Sequence, residues 1–490
     1  MRPLAVVAAG TGLVLGVTYL PGPINLASGN RPGPAAKAQA ELVTQTRVIC
    51  PGPEALGING LPDSLAQTVS VSAVSAPAAS LPSGFPASPG AGSLAISGLP
   101  SGGEWAGPVM VRGQVAFGQI SAPRSALITG SGTIAPGTVA TQRSWTRAGN
   151  NRSLVTAACT PAATSLWLIA GGAEPGRRER LVLTNPGPNP VTVDISVLGV
   201  KGPIQSQNGR GLVIGGYART VILLDAIAGS ERSPVVHVAA QGGEIAAVLS
   251  DTWLDGVVPR GGDDAVPVAA PALEQVIASA PVQGRAILRV AVTGNREAVV
   301  QLRTLTPRGP KALPSGGVTR LAGRSTKDID LGGLAPGAYA VQVRSDVPVV
   351  AAAMVERRRA ANAPSDLAWS VASSPISTLG GMALPGSDVK GLNARLDLAA
   401  AQEPASVLVT TVGAGGRIRT KEIAIAADSV STVPLDAATS VWVTPRSGLV
   451  RAAVFTSVND IGGVLLSLTP LVDLALTTTP WLLREQQQGP

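Results

Sequence analysis

The sequence predicts an all-β protein made of tandem β-sandwich modules that follow one N-terminal transmembrane helix. Three observations predict this fold class. Most apolar segments alternate with a period of two residues, which is the pattern of half-buried strands. Glycine and proline number 58 and 41, which suits many short strands joined by tight turns. One pattern recurs every 107 or 108 residues, at Leu181, Leu288 and Leu396, and a chain of 490 residues is too long for a single core.

Each repeat begins with two alternating strands joined by a polar turn. The copies read RLVLTNPGPNPVTVDISVLGVKG, ILRVAVTGNREAVVQLRTLTPRG and RLDLAAAQEPASVLVTTVGAGG. A second strand, turn and strand follow in each copy, and we interpret both elements as hairpins. The sequence therefore predicts sandwich modules at 166–270, 271–378 and 379–478, with a C-terminal tail at 479–490. A propeller would need the pattern to recur about every 40–50 residues, and no such echo is present in the sequence.

Residues 41–165 are predicted to form a fourth, divergent sandwich. This segment contains the only two cysteines, Cys50 and Cys159, close to its two ends. Two cysteines outside the cytoplasm most simply pair, so a disulfide is expected, with a Cα separation of roughly 4.4–6.8 Å. The alternative is a pair of buried free thiols. A metal site is not expected, because the chain has no further cysteine and one histidine.

The N-terminal sequence predicts that the protein is located at a membrane. Residues 4–20 are uncharged and apolar, and they follow Arg2. We interpret 1–20 as an uncleaved signal anchor and transmembrane helix, because small residues do not occur at the spacing that signal cleavage needs. Residues 21–40 are rich in proline, glycine and alanine and are expected to be a flexible tether. The bulk of the chain would then be extracytoplasmic; the alternative is secretion after cleavage.

Two stretches carry a family resemblance. LVLTNPGPNPVTVDISVLG, with VRSDVPVVAAAMVE further along, resembles the bacterial immunoglobulin-like module. The wider layout is similar to an actinobacterial family of exported, membrane-anchored proteins of unknown function. The matching features are the apolar N-terminus, CPGP at 50–53, a cysteine before WLIAGG, and DTWLDGVVPRGGDDAVP at 251–267. The resemblance implies immunoglobulin-like modules, and it implies no activity and no ligand.

The sequence contains no recognisable catalytic or cofactor motif. His237 is the only histidine, it lies between valines in a predicted strand, and no G-x-S-x-G elbow occurs. Phosphate-binding and dinucleotide-binding glycine motifs are also missing from the sequence. Thirteen scattered aromatic residues do not offer a stacking platform for nucleic acid. We therefore expect a non-enzymatic protein with no cofactor and no nucleic-acid partner.

Two groups of polar residues are candidates for binding. Asp251, Trp253, Asp255, Asp263 and Asp264 lie close together in what we interpret as a glycine-rich connecting loop. Such a loop could bind a cation or sugar hydroxyls through its carboxylates, or it could be an ordinary connection between modules. The run Arg357, Arg358 and Arg359 forms a basic patch, and the net charge of +8 suits anionic partners.

The function expected from these features is that of a membrane-anchored scaffold or accessory protein of the cell envelope. It would act through its sandwich surfaces, with envelope-assembly proteins or an anionic cell-wall polymer as partners. The alternative is a carbohydrate-binding or carbohydrate-active module that uses the acidic loop 251–264. A concave groove lined by those acids and Trp253 would favour the alternative.

Overall fold

The computed structural model describes residues 41–53, 68–81, 91–100, 103–120, 123–313, 316–360, 362–384, 389 and 391–478. The predicted signal anchor, tether and C-terminal tail lie outside these residues, as do parts of seven connections between strands. Among the described residues, no helix is long and apolar enough to cross a membrane.

The all-β prediction is confirmed, and short strands account for nearly all regular structure. Residues 41–165 contain β1 Glu41–Leu42, β2 Gln45–Cys50, β3 Val69–Ser75, β4 Leu94–Leu99, β5 Glu104–Val109, β6 Ala116–Ile120, β7 Ser125–Ser131, β8 Thr138–Thr146 and β9 Ser153–Ala158. The next segment contains β10 Ser165–Ile169, β11 Arg177–Thr184, β12 Val191–Gly199, β13 Gly202–Ile204, β14 Leu212–Ile214, β15 Arg219–Leu223, a one-turn helix α1 Asp225–Ala228, β16 Val235–Gln241, β17 Ala246–Asp255 and β18 Val258–Ala265.

The last two segments continue in the same way. The third contains β19 Ala272–Ile277, β20 Arg285–Val292, β21 Ala298–Thr306, β22 Gly309–Lys311, β23 Val318–Leu321, β24 Thr326–Asp330, β25 Ala340–Arg358 and β26 Ser365–Val371. The fourth contains β27 Gly380–Ala383, β28 Leu392–Ala400, β29 Ala405–Gly413, β30 Ile418–Ile425, β31 Ser429–Pro434, β32 Ala438–Ser447, β33 Arg451–Asp460, β34 Gly463–Pro470, β35 Val472–Asp473 and β36 Thr477–Thr478. Single 3-10 turns occur at Ala78–Ser80, Gly132–Ile134 and Ala414–Gly416.

Residues 41–165 form two four-stranded sheets. The strand orders are β2-β7-β4-β5 and β6-β3-β8-β9, and their apolar faces enclose one core. The burial of β6 alternates strictly between buried and exposed residues, as expected for a strand with one face in the core. The stretch 109–118, which reads as one strand in the sequence, is divided between β5 and β6.

The three repeats share one strand order. Their first sheets run β10-β16-β12-β13, β19-β25-β21-β22 and β27-β32-β29-β30. Their second sheets run β15-β11-β17-β18, β24-β20-β25-β26 and β31-β28-β33-β34. Equivalent sequence segments therefore occupy equivalent places in each pair of sheets, and each repeat contributes two sheets rather than a single propeller blade.

The predicted hairpins are wrong in one respect. The two strands of each repeated element lie in different sheets: β11 and β12 belong to opposite sheets, and so do β16 and β17. In the second of the three repeats no turn intervenes, and β25 runs unbroken for 19 residues through both sheets. Two alternating strands can bury their apolar faces against each other across a sandwich, and the sequence pattern is the same as for a hairpin.

Residues 42–478 form one unit in which the four segments share their interiors. The last strand of each second sheet lies at its edge, and these edge strands meet: β18 packs against β26, β26 against β34, β34 against β9 and β9 against β18. Four edge strands from four segments therefore surround a common centre. The repeat pattern in the sequence did not indicate this arrangement.

The predicted disulfide is present. Cys50 at the end of β2 is bonded to Cys159 just after β9, with a Cα separation of 4.4 Å, and both residues are buried. β2 and β9 belong to the two facing sheets of the first sandwich. The bond therefore joins these sheets, and Cys159 lies six residues before β10 begins the next segment.

Removal of this crosslink tests its contribution to stability. We expect the Cys50→Ser/Cys159→Ser double variant to lose roughly 4–5 kcal/mol of unfolding free energy, because the bond closes a loop of 109 residues in the unfolded chain. Urea unfolding followed by tryptophan fluorescence measures the change, with wild-type protein treated with reductant as the control. Equal midpoints for variant and untreated wild type would contradict the expectation.

Candidate functional site

The acidic residues singled out in the sequence lie in strands, so the interpretation of 251–264 as a loop is wrong. β17 and β18 form an antiparallel hairpin in which Asp251 is opposite Asp263 and Ser250 is opposite Asp264. Asp251, Trp253 and Asp263 are buried, whereas Asp255 at the turn is exposed and pairs with Arg260 at 2.7 Å. Aspartates are unusual inside a sheet, because a buried carboxylate needs a partner.

The partner of Asp251 is Arg177, the first residue of β11. The guanidinium forms a bidentate pair, with Nε donating to Oδ1 at 2.9 Å and Nη2 donating to Oδ2 at 2.6 Å. Its remaining Nη1 donates to Glu174 at 2.9 Å, and the indole N–H of Trp369 also donates to Asp251, at 2.7 Å. Burial opposes the charged form of Arg177, but Asp251 and Glu174 together raise its pKa. The pair is therefore ionic and completely excluded from solvent.

Aromatic rings enclose the arginines of this cluster. The Arg177 guanidinium lies 5.5 Å from the ring of Trp253 and 6.0 Å from that of Trp369. Arg289, on β20, lies 5.2 Å from the ring of Trp369 and forms a bidentate pair with Asp328. Cation–π contacts of this kind strengthen when the groups are desolvated. The cluster joins the second segment to the third.

Arg289 also reaches back across this junction. It is 1% exposed, and its Nη1 donates to the backbone carbonyls of Ala170 and Gly171 at 3.2 and 3.0 Å. These carbonyls belong to the WLIAGG segment that leaves β10. The WLIAGG segment therefore ends in acceptors for a buried arginine of the next repeat, which gives it a structural role.

A second set of contacts lies at the centre, where the edge strands meet. Asp366 on β26 accepts the backbone N–H of Leu154 on β9 at 3.0 Å and that of Leu466 on β34 at 2.9 Å. Gly261 on β18 lies against the same carboxyl group: its φ is +106°, and a Cβ there would come within 2.2 Å of Asp366 Oδ1. One side chain of the third segment therefore contacts all three other segments.

Neighbouring side chains repeat this arrangement around the centre. Asp263 on β18 accepts the backbone N–H of Trp369 on β26 at 2.6 Å. Ser467 on β34 accepts the backbone N–H of Thr156 on β9 at 2.9 Å and donates to its carbonyl at 3.2 Å. Edge strands carry unpaired backbone groups that water cannot reach here, and these side chains supply the missing partners.

The fourth junction, between β9 and β18, contains a small polar cavity. Its volume is about 40 Å³, and its lining includes Ser153, Ser250, Asp263 and Asp264. Burial raises the pKa of Asp263 well above its ordinary value, and burial also raises the pKa of Asp264. Among the described residues, no group of three His, Cys, Asp or Glu side chains could hold a metal ion.

Glu179 is the residue of the cluster whose charge is most sensitive to pH. Burial, followed by repulsion from Asp251, raises the pKa of Glu179 to about 7. Its Oε1 accepts the backbone N–H of Gly172 at 2.8 Å and lies 3.8 Å from Nε of Arg177. Arg177, which already pairs with Asp251 and Glu174, lowers the pKa of Glu179 by less than burial and Asp251 raise it.

The CPGP motif forms another junction between segments. Arg219 on β15 donates to the carbonyls of Pro51 and Pro53 at 3.0 and 2.8 Å. Gly52 has a φ of +77°, and its N–H donates to the side chain of Gln142. The motif therefore fixes the first sandwich to the second.

The basic run is only partly a surface patch. Arg357 and Arg358 end β25, and Arg357 lies 5.0 Å from the ring of Phe455. Burial, followed by repulsion from Arg395, lowers the pKa of Arg357 to about 10. Arg358 and Arg359 are exposed; Arg358 lies 4.0 Å from Glu356, and Arg359 donates to the backbone carbonyls of Asp460 and Ile461 at 3.4 Å.

His237 lies on β16, as the strand pattern predicted. Its ring stacks on Trp167 at a centroid distance of 4.3 Å, and Nε2 lies 2.9 Å from the hydroxyl of Ser165. Burial lowers the pKa of His237, so the ring is neutral at pH 7. These contacts lie along one sheet face and give His237 a packing role.

Sequence reasoning missed the residues on which the centre depends, namely Arg177, Arg289, Asp366 and Trp369. A signal was available: Arg177 and Arg289 each stand inside or beside an apolar strand, where a cation needs a buried partner. Their bidentate carboxylate partners, Asp251 and Asp328, lie 74 and 39 residues away along the chain, and no local pattern links them.

The fold and the site define an all-β protein of packed two-sheet units with an ionic interior. Its polar motifs form contacts between its own segments. The chain belongs to the DUF5719 family, a family of unknown function, whose model matches residues 117–438. No curated protein matches the sequence.

Two solved structures show weak similarity. The Thermotoga maritima protein 1070 is 14% identical, with a TM-score of 0.19, and the match covers 21% of this chain and 93% of that one. A tetra-tandem repeat from the extending region of a large adhesion protein is 14% identical, with a TM-score of 0.10, over 88% of this chain and 99% of that one.

The central carboxyl group of Asp366 provides a direct test of this site. We expect Asp366→Ala to lower the free energy of unfolding by roughly 3–5 kcal/mol, because it leaves buried N–H groups of three strands without an acceptor. Urea unfolding measures the change, and Asp436→Ala at an exposed site is the matched control. Similar unfolding of the two variants would show that the centre does not depend on this contact.

Glu179 predicts a pH dependence of stability. Its folded-state pKa of about 7 exceeds the ordinary glutamate value, so the folded state binds more protons and the free energy of unfolding falls as pH rises from about 4.5 to 7. Glu179→Gln keeps an acceptor for Gly172 and should remove this decline, leaving the variant about 3 kcal/mol more stable than wild type at pH 8. Thermal unfolding between pH 4.5 and 8 measures it, with exposed Glu403→Gln as control. Parallel wild-type and Glu179→Gln profiles would refute the assignment.

Proposed function

We propose that this protein is a non-enzymatic, membrane-anchored scaffold or accessory protein of the cell envelope, built of immunoglobulin-like sandwiches and of actinobacterial origin. The observation that carries the proposal is the use of its polar residues. The residues that most resembled a ligand site in the sequence make structural contacts instead. Asp251 accepts hydrogen bonds from Arg177 and from the indole of Trp369, and Asp263 accepts the backbone N–H of Trp369. A unit held together in this way keeps its outer surfaces in fixed relative positions, which is what a scaffold requires.

Two further features support an extracytoplasmic location. The bond between Cys50 and Cys159 is of a kind that persists in oxidising compartments. The apolar stretch 4–20 is long enough for a signal anchor, and the sequence after it lacks a good cleavage site. The cytoplasmic membrane would be one partner through this stretch. Envelope-assembly proteins or an anionic wall polymer would be others, reached through exposed arginines such as Arg358 and Arg359.

The carbohydrate alternative required an accessible acidic groove. Of the five residues proposed for it, Asp251, Trp253 and Asp263 are buried, and Asp255 is paired with Arg260. No observation therefore favours glycan binding at 251–264 over a structural role.

Localisation tests the proposal. The full chain should sediment with membranes, resist carbonate extraction, keep its N-terminus by mass spectrometry and react with a membrane-impermeant amine reagent on intact cells. Leu13→Arg/Val14→Arg should abolish membrane integration, because charges within the apolar stretch oppose insertion, whereas the matched Leu13→Ile/Val14→Ile variant should behave as wild type. A soluble product lacking 1–20 would favour secretion. Reproducible turnover of cell-wall glycans by the detergent-purified chain would overturn the non-enzymatic assignment.

A further inference from the structure

A groove between the first and last segments has the properties of a ligand site. It has a volume of about 290 Å³ and lies between the β2, β8 and β9 strands on one side and β27, β34 and β35 on the other. Aliphatic side chains dominate its walls, among them Val43, Val48, Val139, Met382 and Leu474. Val139 also belongs to a core that both segments share.

Two polar groups of the groove have no partner among the residues that the structure describes, namely the Thr141 hydroxyl and the Arg47 guanidinium. The hydroxyl of Thr141, a residue 4% exposed, makes no hydrogen bond. Arg47 also lines the groove and is exposed, and among the described residues no carboxylate pairs with it. A guanidinium beside an apolar groove, with no carboxylate paired to it among the described residues, is a ready binding group for an anion.

We infer that this groove binds a free aliphatic carboxylate, with the alkyl chain along the aliphatic walls and the carboxylate on Arg47. The apolar walls desolvate the chain, and a guanidinium matches the geometry of a carboxylate. The lining also includes the carboxylate of Asp473, which already accepts the backbone N–H groups of Ser377 and Thr378. The volume is about twice that of the roughly 150 Å³ cavity that holds benzene, which suits a chain of about ten carbons. This inference goes beyond the scaffold role and does not depend on it.

Isothermal titration of the full-length, detergent-purified chain with sodium decanoate tests the inference. We expect saturable binding at one site per chain, and butyrate should bind at least tenfold more weakly because it leaves most of the walls uncovered. Decanol, which lacks the charge, should bind more weakly than decanoate to wild type.

Two variants locate the site. Ala475→Trp fills the groove from an exposed wall position and should abolish decanoate binding. Arg47→Ala should weaken decanoate about tenfold and leave decanol unchanged. Ala360→Trp and Arg308→Ala, both at exposed positions outside the groove lining, are the matched controls and should bind as wild type.

Each remaining outcome contradicts the inference. The absence of saturable binding to wild type, or decanoate binding that survives both Ala475→Trp and Arg47→Ala, would exclude the site. A wild-type dimer by sedimentation that Ala475→Trp converts to monomer would show that the groove is an interface between copies of the chain. Binding to phosphatidylglycerol vesicles through the groove without binding to decanoate would assign it to membrane lipid.

Discussion

The rest of the structure depends on how four sheet edges meet where water cannot reach. An edge strand carries N–H and C=O groups that its own sheet leaves unpaired, and burial of such groups is costly unless another partner is found. Here Asp263, Asp366 and Ser467 each project from one edge strand to the backbone of the next. The four segments therefore pack around a common centre instead of forming a linear array of separate modules.

The same constraint explains the ionic interior around Arg177. Segments that share their cores bring strand ends together, and the charges on those ends must be neutralised in place. The guanidinium is satisfied by its bidentate pair with Asp251, by Glu174 and by the rings of Trp253 and Trp369, and the Trp369 indole N–H donates to Asp251. Removing one member of such a set leaves an uncompensated buried charge, so the cluster acts as a unit.

The three repeats share their strand order, but the polar residues at their strand pairs differ. The register places Asp251 opposite Asp263 in the second segment, Glu356 opposite Leu367 in the third and Thr456 opposite Ser467 in the fourth. The strand order is the same in all three, yet the contacts made at the centre differ. The fold therefore rests on the alternation of apolar residues and on glycine-rich turns, and the polar residues serve the particular neighbour that each segment meets.

The sequence by itself determined the all-β class, the repeat and the pairing of Cys50 with Cys159, because strand alternation, turn residues and cysteine number are local or countable properties. It did not determine whether consecutive strands such as β16 and β17 form a hairpin or cross between sheets, since both arrangements bury the same alternating faces. It also could not distinguish a ligand loop from a buried junction at 251–264. An aspartate in a ligand loop and an aspartate in a buried junction cannot be told apart in a sequence. Only the tertiary structure brings Arg177 and Trp369, which are distant in the chain, into contact with the carboxylate of Asp251 and excludes solvent from it.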